Sequence, residues 1–123
     1  MLGDIHRVWG WIAVGLSAAA GLFGIGLAIA KRPPGRWFRY MAAVSIVALI
    51  IQVLLGVGAM AAGTDPGNIH VFYGVVVAFA LAFAYIYRAQ LAKRPALYWG
   101  LLLLFLMGLG IRGIMSFGKD FGG

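Results

Sequence analysis

The sequence predicts an all-α integral membrane protein, an antiparallel four-helix bundle built from two similar helical hairpins. Three observations predict it. The chain is 63% hydrophobic and only 11% charged, where a soluble domain carries about 25% charged residues. Four apolar stretches have the length of a membrane span. A short His-aromatic-Gly motif occurs twice, once at the start of the first stretch and once at the start of the third.

A span needs roughly 20 mostly apolar residues, because the hydrocarbon core is about 30 Å thick and a helix rises about 1.5 Å per residue. The first such stretch covers residues 5–30. The preceding MLGDIHR lacks the basic region and cleavage site of a signal peptide, so this stretch is expected to stay in the protein. The tract KRPPGR breaks it with two prolines and three basic residues. The second span covers residues 40–62 and ends at the turn GTDPGN. The third covers 69–87, followed by RAQLAKRP, and the fourth covers 97–115. All three connections are short, which forces consecutive helices to be antiparallel neighbours. With 123 residues in total, the chain is one four-span domain, residues 1–123.

Charge gives the orientation. Ten Lys and Arg stand against three acids. In a soluble protein such a balance suggests nucleic acid, but here the basic residues sit in tracts between apolar stretches, and no nucleic acid is expected. Seven of them (Lys31, Arg32, Arg36, Arg39, Arg88, Lys93, Arg94) lie in the first and third connections with no acid among them. Arg7, Arg112 and Lys119 share the other side with Asp4, Asp65 and Asp120. Basic residues in short loops stay inside. Both chain ends and the GTDPGN turn are therefore expected outside, with the bundle in the plasma (inner) membrane. Absence of cysteine excludes disulfides, thiolate haem ligation and iron–sulfur clusters.

The repeat carries the chemistry. IHRVWG (residues 5–10) aligns with IHVFYG (69–74), and LLGVGAM (54–60) with LMGLGIR (106–112). The two histidines of the chain, His6 and His70, thereby fall at the same depth on the first and third helices, which are diagonal in an up-down bundle. Diagonal axes lie roughly 11–14 Å apart. Two inward imidazoles across that distance leave a gap for one iron, the arrangement of a bis-histidine haem b site. An ionisable side chain inside a span points to function, although one at a span end also suits the headgroup layer. Identical flanks at both copies favour ligands.

Glycines supply room for a macrocycle. Gly10 and Gly74 lie four residues deeper than the histidines on the same helical faces, and Gly56 and Gly108 thin the second and fourth helices in the same leaflet. Close helix packing explains such glycines as well. Arg7 and Arg112 stand near the same mouth, placed to pair with haem propionates or to snorkel to phosphates. Gln52, a lone amide within a span, suits a cofactor, a quinone or, more simply, a neighbouring helix. Trp9, Trp11, Tyr73 and Trp99 read as interfacial aromatics, and Met60, Met107 and Met115 as apolar packing.

These motifs resemble one half of the haem A synthase family. IHR opening one outer-side helix, QVLLGVGA (52–59) late in the next and NIHVFYG (68–74) opening the third carry the resemblance. It covers most of the chain and implies that His6 and His70 are paired haem ligands. The family's catalytic half has a glutamate three residues before the first histidine, where this chain has Gly3. The family's cysteine pair and second bundle have no counterpart.

The expected function is therefore electron transfer through one haem b, in a subunit of a larger respiratory or redox complex rather than an enzyme. Its partners are membrane lipids and either other membrane subunits or a quinone. A half-sized haem A synthase-like monooxygenase and a haem-free accessory subunit are the alternatives.

Overall fold

A computed structural model describes residues 1–121. Every regular element among them is helical: α1 (Leu2–Ile29), α2 (Gly35–Ala61), α3 (Asn68–Ile86), a single turn α4 (Arg88–Leu91) and α5 (Pro95–Met115). All except α4 are long and apolar enough to cross a membrane. The protein is a membrane-spanning helical bundle.

The helices begin earlier than the apolar stretches do. α1 starts at Leu2 rather than residue 5, and α2 at Gly35 rather than residue 40. Pro33 and Pro34 end the connection, and Gly35, at φ +71°, turns the chain into α2. Arg36 and Arg39 then belong to the first turns of a helix. At about 1.5 Å per residue, 27 or 28 residues exceed a hydrocarbon core of about 30 Å. The surplus is enough for the end turns, with Arg36 and Arg39, to reach beyond such a core, where charge is tolerated.

Small residues make α1 the central helix. Gly10, Ala13, Ser17, Ala20, Gly21 and Gly24 are buried and recur every three or four positions, forming one stripe. Lipid is as apolar as leucine, so helices in a membrane associate by close packing rather than by hydrophobic burial, and small residues permit it. Along the seam with α5, a Cβ on Gly21 would stand 3.1 Å from the Gly100 carbonyl oxygen, and one on Gly100 3.1 Å from that of Gly21. Gly24 meets the Phe38 ring of α2 on one side and Ala96 of α5 on the other. Near the opposite end Gly10 faces Gln52 of α2 and Ile114 of α5. Rising numbers on α1 thus meet falling numbers on both neighbours, so α2 and α5 each run antiparallel to α1.

Trp9 on α1 donates its indole N–H to the Ala48 carbonyl of α2 at 2.8 Å. This aromatic, read from sequence as interfacial, is an interhelical tie. Ala13, Ala48, Leu49, Val77 and Leu106 meet as the bundle's central cluster. α3 packs mainly on α5, touches α2 lightly and does not pack on α1. It is the loosest of the four long helices, and α1 and α3 are diagonal.

After α5 the chain folds back over the GTDPGN turn. Gly118 N–H donates to the Pro66 carbonyl and Ile69 N–H to that of Lys119. Asn68 N–H donates to Asp120 Oδ1, and Phe121 N–H to Asn68 Oδ1. Gly67, at φ +80°, lies so close beneath this strap that a Cβ would collide with the Lys119 backbone.

Candidate functional site

His6 sits on the second turn of α1 and His70 on the first turn of α3. Both side chains turn into the bundle and are partly buried. Their ring centroids are 5.8 Å apart and the ring planes perpendicular. The backbones of α1 and α3 do not pack together, yet the two imidazoles meet across the diagonal.

Each ring is held from behind. His6 Nδ1 lies 3.1 Å from the Gln52 carbonyl oxygen of α2, and His70 Nδ1 lies 2.6 Å from the Gly113 carbonyl oxygen of α5. A carbonyl only accepts, so both Nδ1 atoms carry the proton. In the neutral imidazole this places the lone pair on Nε2, for which no hydrogen bond is found among the described residues. Gly56 faces His6 edge-on, where a Cβ would stand 3.0 Å from Cε1 and 3.4 Å from Nε2. Phe117, at the root of the C-terminal strap, packs edge-to-face on His70 with centroids 5.2 Å apart.

Clefts flank the pair on both sides. One, of about 230 Å³, opens on the loose α2–α3 seam past Gly56, Gly74 and Met60. The other, of about 390 Å³, opens along α1 past Asp4, Arg7 and Trp11. A smaller cavity of about 80 Å³ lies deeper, walled by Gly10, Val77 and Gly110. His6 and His70 line all three.

The other residues read from sequence fall into distinct places. Gly10 makes room for Gln52, whose Nε2 would be 2.7 Å from a Cβ there. The Gln52 amide oxygen is buried without a hydrogen-bond partner. Gly74 has open space where a Cβ would go and lines two of the clefts. Gly108 also faces open space but lines none of these three. Arg7 lies beside Asp4 at 3.7 Å, both side chains largely exposed. Arg112 is outside the clefts, its Nε 3.3 Å from the Tyr73 hydroxyl.

Sequence reasoning did not anticipate the two carbonyls that orient the imidazoles, nor Phe117. Gly113 had a faint signal, as the next glycine after Gly108 and Gly110. Among the described residues no three or more His, Cys, Asp or Glu gather as a metal-binding group. No family model, no curated protein and no solved structure matches this chain.

Proposed function

We propose that this protein is a membrane cytochrome b subunit in which His6 and His70 hold one haem b through their Nε2 atoms. The paired imidazoles, each with its Nδ1 at a backbone carbonyl of another helix, carry this reading. Metal–imidazole nitrogen bonds are about 2.0–2.1 Å, so two imidazoles on opposite sides of one metal have centroids roughly 6–6.5 Å apart. The observed 5.8 Å is close to that. A group supplying its own four equatorial nitrogens needs only two protein ligands, which suits a site with no third ligating side chain. The donor set, two imidazoles in an apolar setting, fits a haem, and so do clefts on both sides of the pair. The short-motif resemblance to one half of the haem A synthases supports the same reading.

When bound, haem b supplies one-electron transfer between the ferrous and ferric states. The protein's part is to bind, orient and shield. Gln52 and Gly113 fix the tautomer and rotation of the two imidazoles through their carbonyls, the role second-shell acceptors play for ligating histidine. Gly56 leaves the space in which His6 turns. Val53, Val71 and Phe117 give the cleft on the α2–α3 side an apolar wall. Arg7, bordering the other cleft, is placed to meet an anionic carboxylate. With both His6 and His70 holding the group, it would supply electron transfer rather than oxygen binding. With a site held between membrane-spanning helices, the electron partners are a quinone or other membrane subunits.

The test is an absorption spectrum of the purified protein before and after dithionite. A low-spin α-band in the reduced spectrum is expected. A protein made in haem-replete cells that shows no such band overturns the reading.

A further inference from the structure

The opposite end of the bundle holds a second site, independent of the histidines. A groove of about 530 Å³ lies between α2 and α5, within the roughly 300–1,000 Å³ of small-molecule sites. Its wall comes from α2 (Phe38, Arg39, Ala42, Ala43, Ile46, Val47), the turns beside it and Trp99 of α5, with no residue of α3. From Arg39 to Val47 it runs eight residues along α2, about 12 Å, from a charged rim into the apolar zone.

Polarity is confined to the rim. Arg39 and the Trp99 indole are the polar side chains of the wall, and the rest of it is apolar: aliphatic residues, prolines and the Phe38 ring. Arg39 makes no salt bridge among the described residues, and all three acids of the chain lie in or beside α1, the turn before α3 and the strap, away from this end. Of the other cations here, Arg36 lies over the Trp37 ring, Arg88 is held by the Tyr85 carbonyl and ring, and Lys31, Arg32, Lys93 and Arg94 lie outside the groove wall. Arg39 has no such engagement. A soluble anion would use the rim and leave the apolar channel empty. A neutral chain would fill the channel and leave the guanidinium unpaired.

We propose that this groove binds one anionic phospholipid, its phosphate on Arg39 and one acyl chain along Ala42, Ala43, Ile46 and Val47 against Trp99. The occupant is chosen by the joint pattern of one free cation above an apolar channel, on a bundle end with seven basic residues and no acid. Clustered basic residues next to a span attract anionic headgroups, and the groove adds a seat for the chain.

The experiment uses the full protein in nanodiscs of phosphatidylcholine, with a minor fraction of lipid brominated on the acyl chain, either phosphatidylglycerol or phosphatidylcholine. Tryptophan quenching is the readout, and the Trp99→Phe variant isolates the groove's contribution. Brominated phosphatidylglycerol is expected to quench Trp99 at about fivefold lower fraction than brominated phosphatidylcholine, the weight of one basic side chain at an anionic headgroup. Arg39→Gln should erase that preference, Arg39→Lys should keep most of it, and Arg36→Gln, outside the groove wall, should leave it intact. Added inorganic phosphate should displace nothing. Equal quenching by the two lipids overturns the proposal, as does an equal loss in Arg36→Gln and Arg39→Gln, which would reduce the effect to general surface attraction. Displacement by inorganic phosphate overturns it in favour of a simple anion site.

Discussion

His6 and His70 face each other across the bundle at 5.8 Å, ring planes perpendicular, from two helices that do not otherwise pack together. Each ring is anchored to a third helix instead, His6 to α2 and His70 to α5. The pair is therefore positioned by all four long helices at once. α3, the most loosely packed of them, brings one of the two.

If the pair ligates a haem, losing either ring must remove a low-spin bis-imidazole state. His6→Ala and His70→Ala are each expected to abolish the low-spin α-band of the reduced protein while helical circular dichroism stays unchanged. His70→Gly should regain the band when free imidazole is added, since the cleft beside it is open. A variant that keeps the wild-type band without its histidine removes that residue from the ligand set.

The glycines near the pair are not equivalent, and they predict unequal effects. A Cβ at Gly56 falls 3.0–3.5 Å from three atoms of the His6 ring, whereas one at Gly74 meets nothing within 4 Å. Gly56→Val should turn the His6 imidazole off its carbonyl. If the pair ligates a haem, the expected weakening of its retention is on the order of 10–100-fold, as when ligand-orienting partners are lost. Gly74→Ala adds a methyl where space is open and should change retention far less. Haem transfer to apomyoglobin measures both, and equal loss rates would disprove the distinction.

Apolar runs made the spans legible because hydropathy reports the hydrocarbon zone. It does not report where a helix ends. Arg36 and Arg39 read as loop for being charged, yet they lie in the first turns of α2, which extends past the hydrocarbon. The repeat pointed to the two histidines but not to what holds them. With Gly56 aligned to Gly108, the carbonyl that receives His6 lies four residues before the repeat glycine and the one that receives His70 five residues after it. Backbone acceptors have no residue signature, and the register of α5 against α3 differs from that of α2 against α1. The same asymmetry explains why Gly10 houses Gln52 while its counterpart Gly74 faces open space.

The α1–α5 seam should be the bundle's most substitution-sensitive contact. At Gly100 the three nearest atoms to an added Cβ are backbone atoms of Gly21, Ile25 and Gly24, at 3.1–3.2 Å. Backbone cannot rotate aside, so Gly100→Val must push the helices apart, at a cost of about 1–3 kcal/mol for overpacking. Gly26 on the same α1 has nothing within 4 Å, and Gly26→Ala should cost nothing measurable. Thermal melting in detergent compares them. Equal melting temperatures for Gly100→Val and wild type would show that the seam is not tight.

The strap after α5 should act on the histidine end through Asn68. Its backbone N–H donates to Asp120 Oδ1 at 2.7 Å, and its side-chain oxygen receives the Phe121 N–H at 2.7 Å. Both bonds are solvent-exposed, so each contributes at the low end of about 0.5–1.5 kcal/mol. Asp120→Ala removes the first, and Asn68→Ala removes the second while leaving the residue 68 amide intact. Either should raise amide hydrogen exchange at the strap by roughly two- to tenfold. Asp120→Asn, which retains an acceptor oxygen, should stay close to wild type. Loosening has a second consequence, because Phe117 at the strap's root covers the His70 ring and lines both flanking clefts. If the pair ligates a haem, the alanine variants should therefore also admit small solutes faster, seen as quicker displacement of His70 by cyanide in the oxidised protein. Faster exchange without faster ligand entry would separate the strap from the site and leave it a purely local clasp on the turn before α3.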